Sequence, residues 1–131
     1  MSLTDEERRA VVAYRVEKAR TAIEEIKRVM PMEVWGMIAN RMYYAVYYAA
    51  VALLISDGHT ASSHKGVLSQ LNLHYVQTGR LTKEDGHLFG RVFSFRQESD
   101  YDDFIDASKE DVEKLLPRVE YLAEKIISLI R

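Results

Sequence analysis

The sequence predicts an all-α protein, an up-and-down bundle of four to five helices. Three observations predict this fold. Apolar residues recur at steps of three and four along several long segments, as they do on the buried side of an amphipathic helix. Residues that cap helices precede these segments, and glycine or proline follows several of them. No segment alternates convincingly between apolar and polar residues, so we expect no sheet.

The first helix is predicted to begin after Thr4, because Thr4 followed by Glu7 forms a capping box. An apolar stripe follows, made of Val12, Val16, Ala19, Ile23, Ile26 and Met30. Pro31 predicts the end of this helix and can open the next one.

The second helix is predicted from about Met32 to Ser56 and is the most apolar part of the chain. Its 14 residues from Met42 to Ile55 carry no charge. A helix that is apolar on all sides is surrounded by other helices. Small residues on one side permit close approach of a neighbour, and these are Ala45, Ala49 and Ala52. The apolar run is shorter than the ~20 residues that cross a bilayer, so we interpret it as a core helix.

A third, shorter helix is predicted to begin after Ser62 or Ser63 and to close at Gly79. Thr82 followed by Asp85 predicts the cap of a fourth helix. The aspartate-rich segment 99–107 interrupts the pattern and is interpreted as a loop.

Ser108 followed by Asp111 predicts the cap of the last helix. Its apolar stripe is Val112, Leu115, Val119, Leu122, Ile126 and Leu129. The 131 residues fit a single domain over 1–131. The N-terminus is polar and unlike a signal peptide, so we expect a cytoplasmic protein without a membrane partner.

The composition excludes several kinds of site. The chain has no cysteine, which rules out disulfides, thiolate metal ligands and cysteine nucleophiles. Its four histidines show no metal-binding spacing, and we expect neither a metal nor a cofactor. The net charge of −2 gives no overall attraction to nucleic acid, so any contact with RNA requires a local basic patch.

Arg41 opens the apolar run of the second helix and shares its face with Tyr44 and Tyr48. A guanidinium beside a core helix needs a partner, since an unpaired buried charge is costly. One interpretation is a structural ion pair with an aspartate of the acidic loop, and the candidates are Asp100, Asp102 and Asp103. The other is an arginine that binds phosphate in a cleft, with Tyr44 as a further residue of the phosphate- or nucleotide-binding site.

Arg96 and Tyr101 form a second candidate pair at the end of the fourth helix. Arg96 could bind phosphate with two nitrogens, and Tyr101 could donate a hydrogen bond or be modified. Alternatively, Arg96 caps the helix and Tyr101 fills the edge of the core.

The third candidate is the run Ser63, His64 and Lys65. A lysine in a first turn opposes the helix dipole, so helix stability does not explain Lys65. A helix start with serine, histidine and lysine could bind an anion, or Ser63 could be only a cap beside a solvated lysine. The tyrosines of the second helix, Tyr43, Tyr44, Tyr47 and Tyr48, lie around both of its sides and are interpreted as core rather than as a stacking platform.

Several of these residues, taken in order, resemble the HEPN superfamily. They are Arg41-Met-Tyr-Tyr-Ala, Ala49-Ala-Val-Ala-Leu-Leu, Ser63-His64-Lys65-Gly66, and Arg96 through Ser99-Asp100-Tyr101-Asp102. The resemblance covers roughly residues 8–128. It implies a homodimeric helical bundle. It also implies a metal-independent ribonuclease or toxin, often encoded beside a minimal nucleotidyltransferase that acts as the antitoxin.

The sequence departs from this family at one position. The family's catalytic signature is an arginine followed four to six residues later by a histidine. Arg96 matches the arginine, but Tyr101 stands where the histidine is expected. Histidine exchanges protons near neutral pH, whereas tyrosine has a pKa of ~10. Tyr101 could still act as an acid, or His64 could supply the proton transfer from another helix.

Three hypotheses follow. The first is an RNA-directed ribonuclease in which Arg96 and Arg41 hold phosphate while His64 and Tyr101 move protons. The second is a non-catalytic module that binds nucleotide, RNA or a nucleotidyltransferase through the same cleft. The third is a dimeric scaffold whose charges are all structural. Clustering of these side chains in one exposed groove would favour the first two, and dispersal would favour the third; the residues concerned are Arg41, His64, Lys65, Arg96 and Tyr101.

Overall fold

The computed structural model describes residues 3–61, 63–101 and 108–131, with the backbone alone for 97–101. These ranges contain the helices α1 (Asp5–Val29), α2 (Trp35–Ser56), α3 (His64–Leu71), α4 (Lys83–Tyr101) and α5 (Lys109–Ser128). A 3₁₀ turn over Met30–Met32 joins α1 to α2, and a π-helical turn over Asn72–Val76 prolongs α3. No strand occurs in the described ranges, and the all-α prediction is confirmed.

α2 is the central helix, and it packs against α1, α3, α4 and α5. Ala45, Ala49 and Ala52 are fully buried, as the small face of this helix predicted. By length and composition α2 could cross a membrane, but most of it is buried among the other described helices. We therefore interpret it as the core helix of the bundle.

The predicted caps at Thr4, Ser63 and Ser108 are confirmed. Glu7 N donates to Thr4 Oγ1 at 3.1 Å, and Thr4 N donates to Glu7 Oε1 at 3.0 Å. Ser63 Oγ accepts from Gly66 N at 2.9 Å, and Ser108 Oγ accepts from Asp111 N at 3.1 Å. Ser62, the alternative cap of α3, lies outside the described residues.

Two predicted boundaries are wrong. α2 begins at Trp35 instead of Met32, because Glu33 adopts a left-handed conformation with φ 58° and separates the 3₁₀ turn from the helix. α4 continues to Tyr101, although the segment from Ser99 onward was interpreted as a loop. No glycine or proline interrupts residues 91–101, and the weak helix propensity of Ser and Asp costs only about 0.5 kcal/mol each.

The start of α4 is anchored to α5 through Asp85. Asp85 Oδ2 accepts from Lys125 Nζ at 2.6 Å and from Thr82 N at 2.9 Å. Asp85 N donates in turn to Thr82 Oγ1 at 3.0 Å, which completes the predicted cap. Burial raises the pKa of Asp85, but the hydrogen bonds from Lys125 and Thr82 outweigh burial and hold it below its usual value.

We expect Asp85→Asn to lower the free energy of unfolding by about 1–3 kcal/mol at pH 7, because an amide pairs poorly with Lys125 and weakens the cap. The folded-state pKa of Asp85 lies below the unfolded value, so its stabilisation is complete above the ordinary carboxyl pKa. It is lost as the pH falls through the folded-state pKa. Urea unfolding at pH 7 and pH 3 measures both effects.

The control for this substitution is Glu84→Gln, which neutralises an exposed carboxylate in the same turn. It should leave stability within about 0.5 kcal/mol of the wild type. A destabilisation by Asp85→Asn that is as large at pH 3 as at pH 7 would contradict the assigned role of the carboxylate.

Candidate functional site

Four tyrosine rings and one imidazole form a connected cluster on α2 and α3. The ring centroid of Tyr43 lies 5.3 Å from that of Tyr44 and 5.7 Å from that of Tyr47. The Tyr48 ring lies 5.5 Å from Tyr44. Tyr43 is fully buried, but the other three are only half-buried. Tyr43 is therefore part of the core, as interpreted, and Tyr44, Tyr47 and Tyr48 are partly buried side chains that pack against it.

His64, the first residue of α3, is held in place from two directions. Its Nδ1 lies 2.7 Å from the Tyr43 hydroxyl, within hydrogen-bond distance. Its ring stacks on Tyr47 with centroids 4.6 Å apart. The capping bond of Ser63 sets where α3 begins, and thereby which residue faces the cluster. These contacts orient the imidazole. The hydrogen bond to Tyr43 uses Nδ1, so it does not engage the second ring nitrogen, Nε2.

The protonation states in the cluster follow from burial and charge. Burial and, next, the positive charge of Arg96 lower the pKa of the His64 imidazole. Near neutral pH the imidazole is therefore mainly neutral, the form that can accept a proton. Burial raises the pKa of the Tyr43 hydroxyl far above its usual value, so this partner of His64 stays protonated.

Two arginines flank Tyr44. The guanidinium carbon of Arg41 lies 5.0 Å from the Tyr44 ring centroid, and that of Arg96 lies 5.6 Å from it. The His64 ring lies 5.9 Å from the same tyrosine. Side chains from α2, α3 and α4 thus converge on Tyr44. The structure brings together the predicted residues Arg41, Tyr44, His64 and Arg96, which we call the Tyr44 cluster.

α4 presents one side to Tyr43. Phe89, Phe93 and Arg96 recur at steps of four and three, which places them on the same face. Their distances from the Tyr43 centroid are 6.1, 5.5 and 5.7 Å, measured to the two ring centroids and to the guanidinium carbon. α4 continues to Tyr101, so Arg96 lies five residues before the end of the helix.

Among the described residues, Arg41 has an acidic neighbour on α1. Its Nη1 lies 4.0 Å from Glu25 Oε1, across the α1–α2 interface. Its Nε and Nη2 both donate to Asn40 Oδ1, at 3.3 and 3.0 Å. An ion pair at this distance between partly exposed groups contributes little, on the order of 0–1 kcal/mol. The partner lies on α1 because the folded α1–α2 hairpin brings residue 25 beside residue 41.

The remaining predicted site residues have less defined surroundings. Lys65 is exposed next to His64, and the hydroxyl of Ser63 serves as the cap of α3. Tyr101 ends α4, but its side chain and that of Asp100 lie outside the described residues, as do Asp102 and Asp103 entirely. Within the described residues, no three His, Asp or Glu side chains gather as a metal site would require.

Two cations of α1 were not anticipated from the sequence. Lys18 Nζ lies 5.8 Å from the Tyr48 ring centroid. Burial raises the pKa of the Tyr47 hydroxyl, and the positive charge of Arg15 partly offsets that shift. Both cations lie on α1 among many other charges, and their spacing along the helix did not distinguish them. Their relation to the tyrosines depends on the register of the α1–α2 hairpin.

Tyr44, Tyr47, Tyr48 and His64 are partly exposed at the surface of the described residues. Two grooves lie elsewhere, one between α1 and α5 and one beside the start of α1. Side chains of the cluster line neither groove. Of the five side chains expected to share a groove, Arg41, His64 and Arg96 lie around Tyr44.

Comparison with known proteins identifies relatives over almost the whole chain. A family model described as HEPN domain matches residues 12–129. A UPF0332 protein of Thermotoga maritima is 32% identical over 95% of this chain and 94% of its own length. A protein of Methanocaldococcus jannaschii named "Putative toxin" is 30% identical over 77% of this chain and 69% of its own length. A UPF0332 protein of Archaeoglobus fulgidus is 28% identical over 85% of this chain.

Proposed function

The chain belongs to the HEPN domain family, and from this premise we propose that it is a toxin-like protein that binds RNA at the Tyr44 cluster and cleaves it without a metal ion. The observation that carries this proposal is the convergence of Arg41, His64 and Arg96, from three helices, on Tyr44. Two relatives from Methanocaldococcus jannaschii carry the name "Putative toxin", which supports the toxin-like part of the proposal.

The two arginines suit a phosphate diester. A guanidinium presents a planar fork of donors that matches phosphate oxygens, and it stays charged at all relevant pH values. Arg41 lies on α2 and Arg96 on α4, and both are near the Tyr44 ring. A phosphate over this ring could therefore contact both guanidinium groups. Their charge would stabilise the additional negative charge that the phosphate acquires in the transition state.

His64 is the group best placed for proton transfer. In the proposed reaction Nδ1 of His64 carries the ring proton and donates to the Tyr43 oxygen, which leaves Nε2 unprotonated. Nε2 then takes the proton of a ribose 2′-hydroxyl, whose oxygen attacks the adjacent phosphorus. The bond from phosphorus to the 5′-oxygen breaks and a 2′,3′-cyclic phosphate forms. The 5′-oxygen recovers a proton from the His64 imidazolium or from Tyr101. His64 would thus supply what Tyr101 cannot, a group that exchanges protons near neutral pH.

A second candidate function is favoured by one specific observation. Tyr101 occupies the position of the family's histidine, so the chain could bind RNA or a nucleotide without cleaving it. In either case we propose a cytoplasmic homodimer that pairs with a nucleotidyltransferase as its antitoxin. Light scattering tests the dimer, and growth with and without the neighbouring gene tests the pairing.

The decisive experiment incubates purified protein with tRNA and mRNA, with and without EDTA. We expect cleavage in both conditions, with products that end in a 2′,3′-cyclic phosphate. RNA that is bound but remains intact would replace the ribonuclease proposal with the binding module. RNA that is neither bound nor cleaved would refute both.

A further inference from the structure

We infer that α1 extends the RNA site with a second subsite, formed by Tyr14, Arg15 and Lys18, that binds the flanking nucleotides of a single strand. The inference rests on the proposed function, since it assigns further contacts to the same ligand. We call these three residues the α1 subsite.

The α1 subsite is continuous with the Tyr44 cluster. Lys18 Nζ lies between two rings, 5.5 Å from the Tyr14 centroid and 5.8 Å from the Tyr48 centroid. Tyr48 in turn lies 5.5 Å from Tyr44. The Arg15 guanidinium carbon lies 5.9 Å from the Tyr14 centroid. Rings and cations therefore form a continuous row from α1 to Tyr44, which Arg41 and Arg96 also approach.

The antiparallel pairing of α1 and α2 produces this alignment. Arg8 Nη1 donates to the Ile55 carbonyl at 2.7 Å, near the start of α1 and the end of α2. Glu25 lies beside Arg41 at the opposite end of the hairpin. Lys18 lies between these two contacts and faces Tyr48. The register that packs the core therefore also places the cations of α1 beside the tyrosines of α2.

Within the described part of the chain, neither cation of the α1 subsite is paired with a carboxylate. The ion pairs found there include neither Arg15 nor Lys18. Arg15 Nε is buried and has no hydrogen-bond partner there, which is unusual for a charged group. Arg15 and Lys18 therefore give this surface two positive charges that no carboxylate of the described residues neutralises. Such a surface complements a polyanion, and contacts to phosphate are the main source of RNA affinity.

The exposed ring of Tyr14 favours a single strand over a duplex. Its relative exposure is 56%, so an aromatic face is open to solvent beside two cations. Bases of a single strand can stack on such a face, whereas the bases of an RNA duplex are already stacked and paired. Stacking of this kind tolerates any base, so we expect little sequence preference at the α1 subsite.

The test compares ligands that differ in length. Binding of labelled 2′-O-methyl RNA is followed by fluorescence anisotropy, because this RNA lacks the attacking hydroxyl. An eight-nucleotide strand can reach both subsites, whereas a dinucleotide can occupy only one. We expect Tyr14→Ala to weaken binding of the eight-nucleotide strand about 5- to 100-fold and to leave the dinucleotide at the Tyr44 cluster unaffected. Tyr14→Phe should restore the affinity.

Lys18→Ala should reduce the slope of log affinity against log salt by about 0.7, the value for one phosphate contact to a single strand. The matched controls are Tyr121→Ala and Lys114→Ala on α5. Tyr121 is exposed by 67%, and no cation lies over its ring in the described structure. Lys114 is an exposed lysine. Both variants should bind as the wild type does.

Each other outcome overturns the inference. If Tyr14→Ala binds the long strand as Tyr121→Ala does, α1 is not part of the site, although the proposed function stands. If Tyr14→Ala lost as much affinity for the dinucleotide as for the eight-nucleotide strand, Tyr14 would be a structural residue and not part of a second subsite. Equally tight binding of duplex RNA would exclude the single-strand assignment. Wild-type protein that binds no RNA would refute the α1 subsite and the proposed function together.

Discussion

His64→Ala is expected to lower the rate constant of RNA cleavage about 10²- to 10⁴-fold, the usual contribution of one positioned acid–base group. The imidazole is held by the Tyr43 hydroxyl and by stacking on Tyr47, so its orientation is set before the substrate arrives. Since Arg41 and Arg96 are retained, RNA affinity should change less than about threefold. Single-turnover kinetics with excess protein separate the rate constant from affinity.

The pH profile distinguishes a proton-transfer role from a structural one. His64 acts as a base only when it is neutral, so the wild-type rate should rise with pH and level off above the lowered pKa of His64. The residual activity of His64→Ala should lack this rise of the rate with pH. The matched control is His87→Ala, an exposed histidine about 13 Å along α4 from Arg96 at 1.5 Å per residue.

Full activity of His64→Ala, or an equal loss in His87→Ala, would remove His64 from the mechanism. Tyr101 would then be the remaining sequence-predicted candidate for proton transfer. The same measurements on Arg96→Ala should show a different pattern, with weaker RNA binding as well as a slower reaction, because a phosphate contact acts in both the ground state and the transition state.

Phe89→Ala is expected to lower the free energy of unfolding by about 3–5 kcal/mol, the range for deleting a buried aromatic ring. Phe89 is fully buried and packs near Tyr43, on the face of α4 that also carries Arg96. Domains of this size have a total stability of about 5–15 kcal/mol, so this loss is a large fraction of it. Urea unfolding followed by circular dichroism measures the change.

Two variants calibrate this measurement. Phe89→Leu keeps much of the volume and should cost less than half as much as Phe89→Ala. Lys114→Ala, at an exposed position on α5, should stay within about 0.5 kcal/mol of the wild type. A loss below about 1 kcal/mol for Phe89→Ala would show that α4 does not depend on this contact for its position.

The helices of this protein could largely be predicted from the sequence, because their signals are local. The cap at Thr4 and the cap at Ser108 involve residues three positions apart, so no tertiary information was needed. The same locality explains the errors. The left-handed Glu33 and the continuation of α4 past Ser99 depend on small backbone preferences that neighbouring structure can override.

The site was accessible to sequence reasoning only as a set of separate candidates. Arg41, Tyr44, His64 and Arg96 could be selected by residue type and by family resemblance, but the convergence of the other three on Tyr44 could not be predicted. Which sides of α2 are covered depends on how three other helices pack. For this reason the half-buried state of Tyr47 and Tyr48 was not predicted.

By itself, the sequence determined an all-α bundle around one apolar helix, since apolar periodicity and capping are properties of neighbouring residues. It also determined membership of the HEPN family, through the order of its short motifs. Only the tertiary structure decided that Glu25 lies beside Arg41, that Lys18 lies beside Tyr48, and that Tyr43 holds His64. These pairs are 16 to 30 residues apart in the chain. Such distant contacts follow from the register and angle of packed helices, which many side chains set jointly and no local pattern encodes.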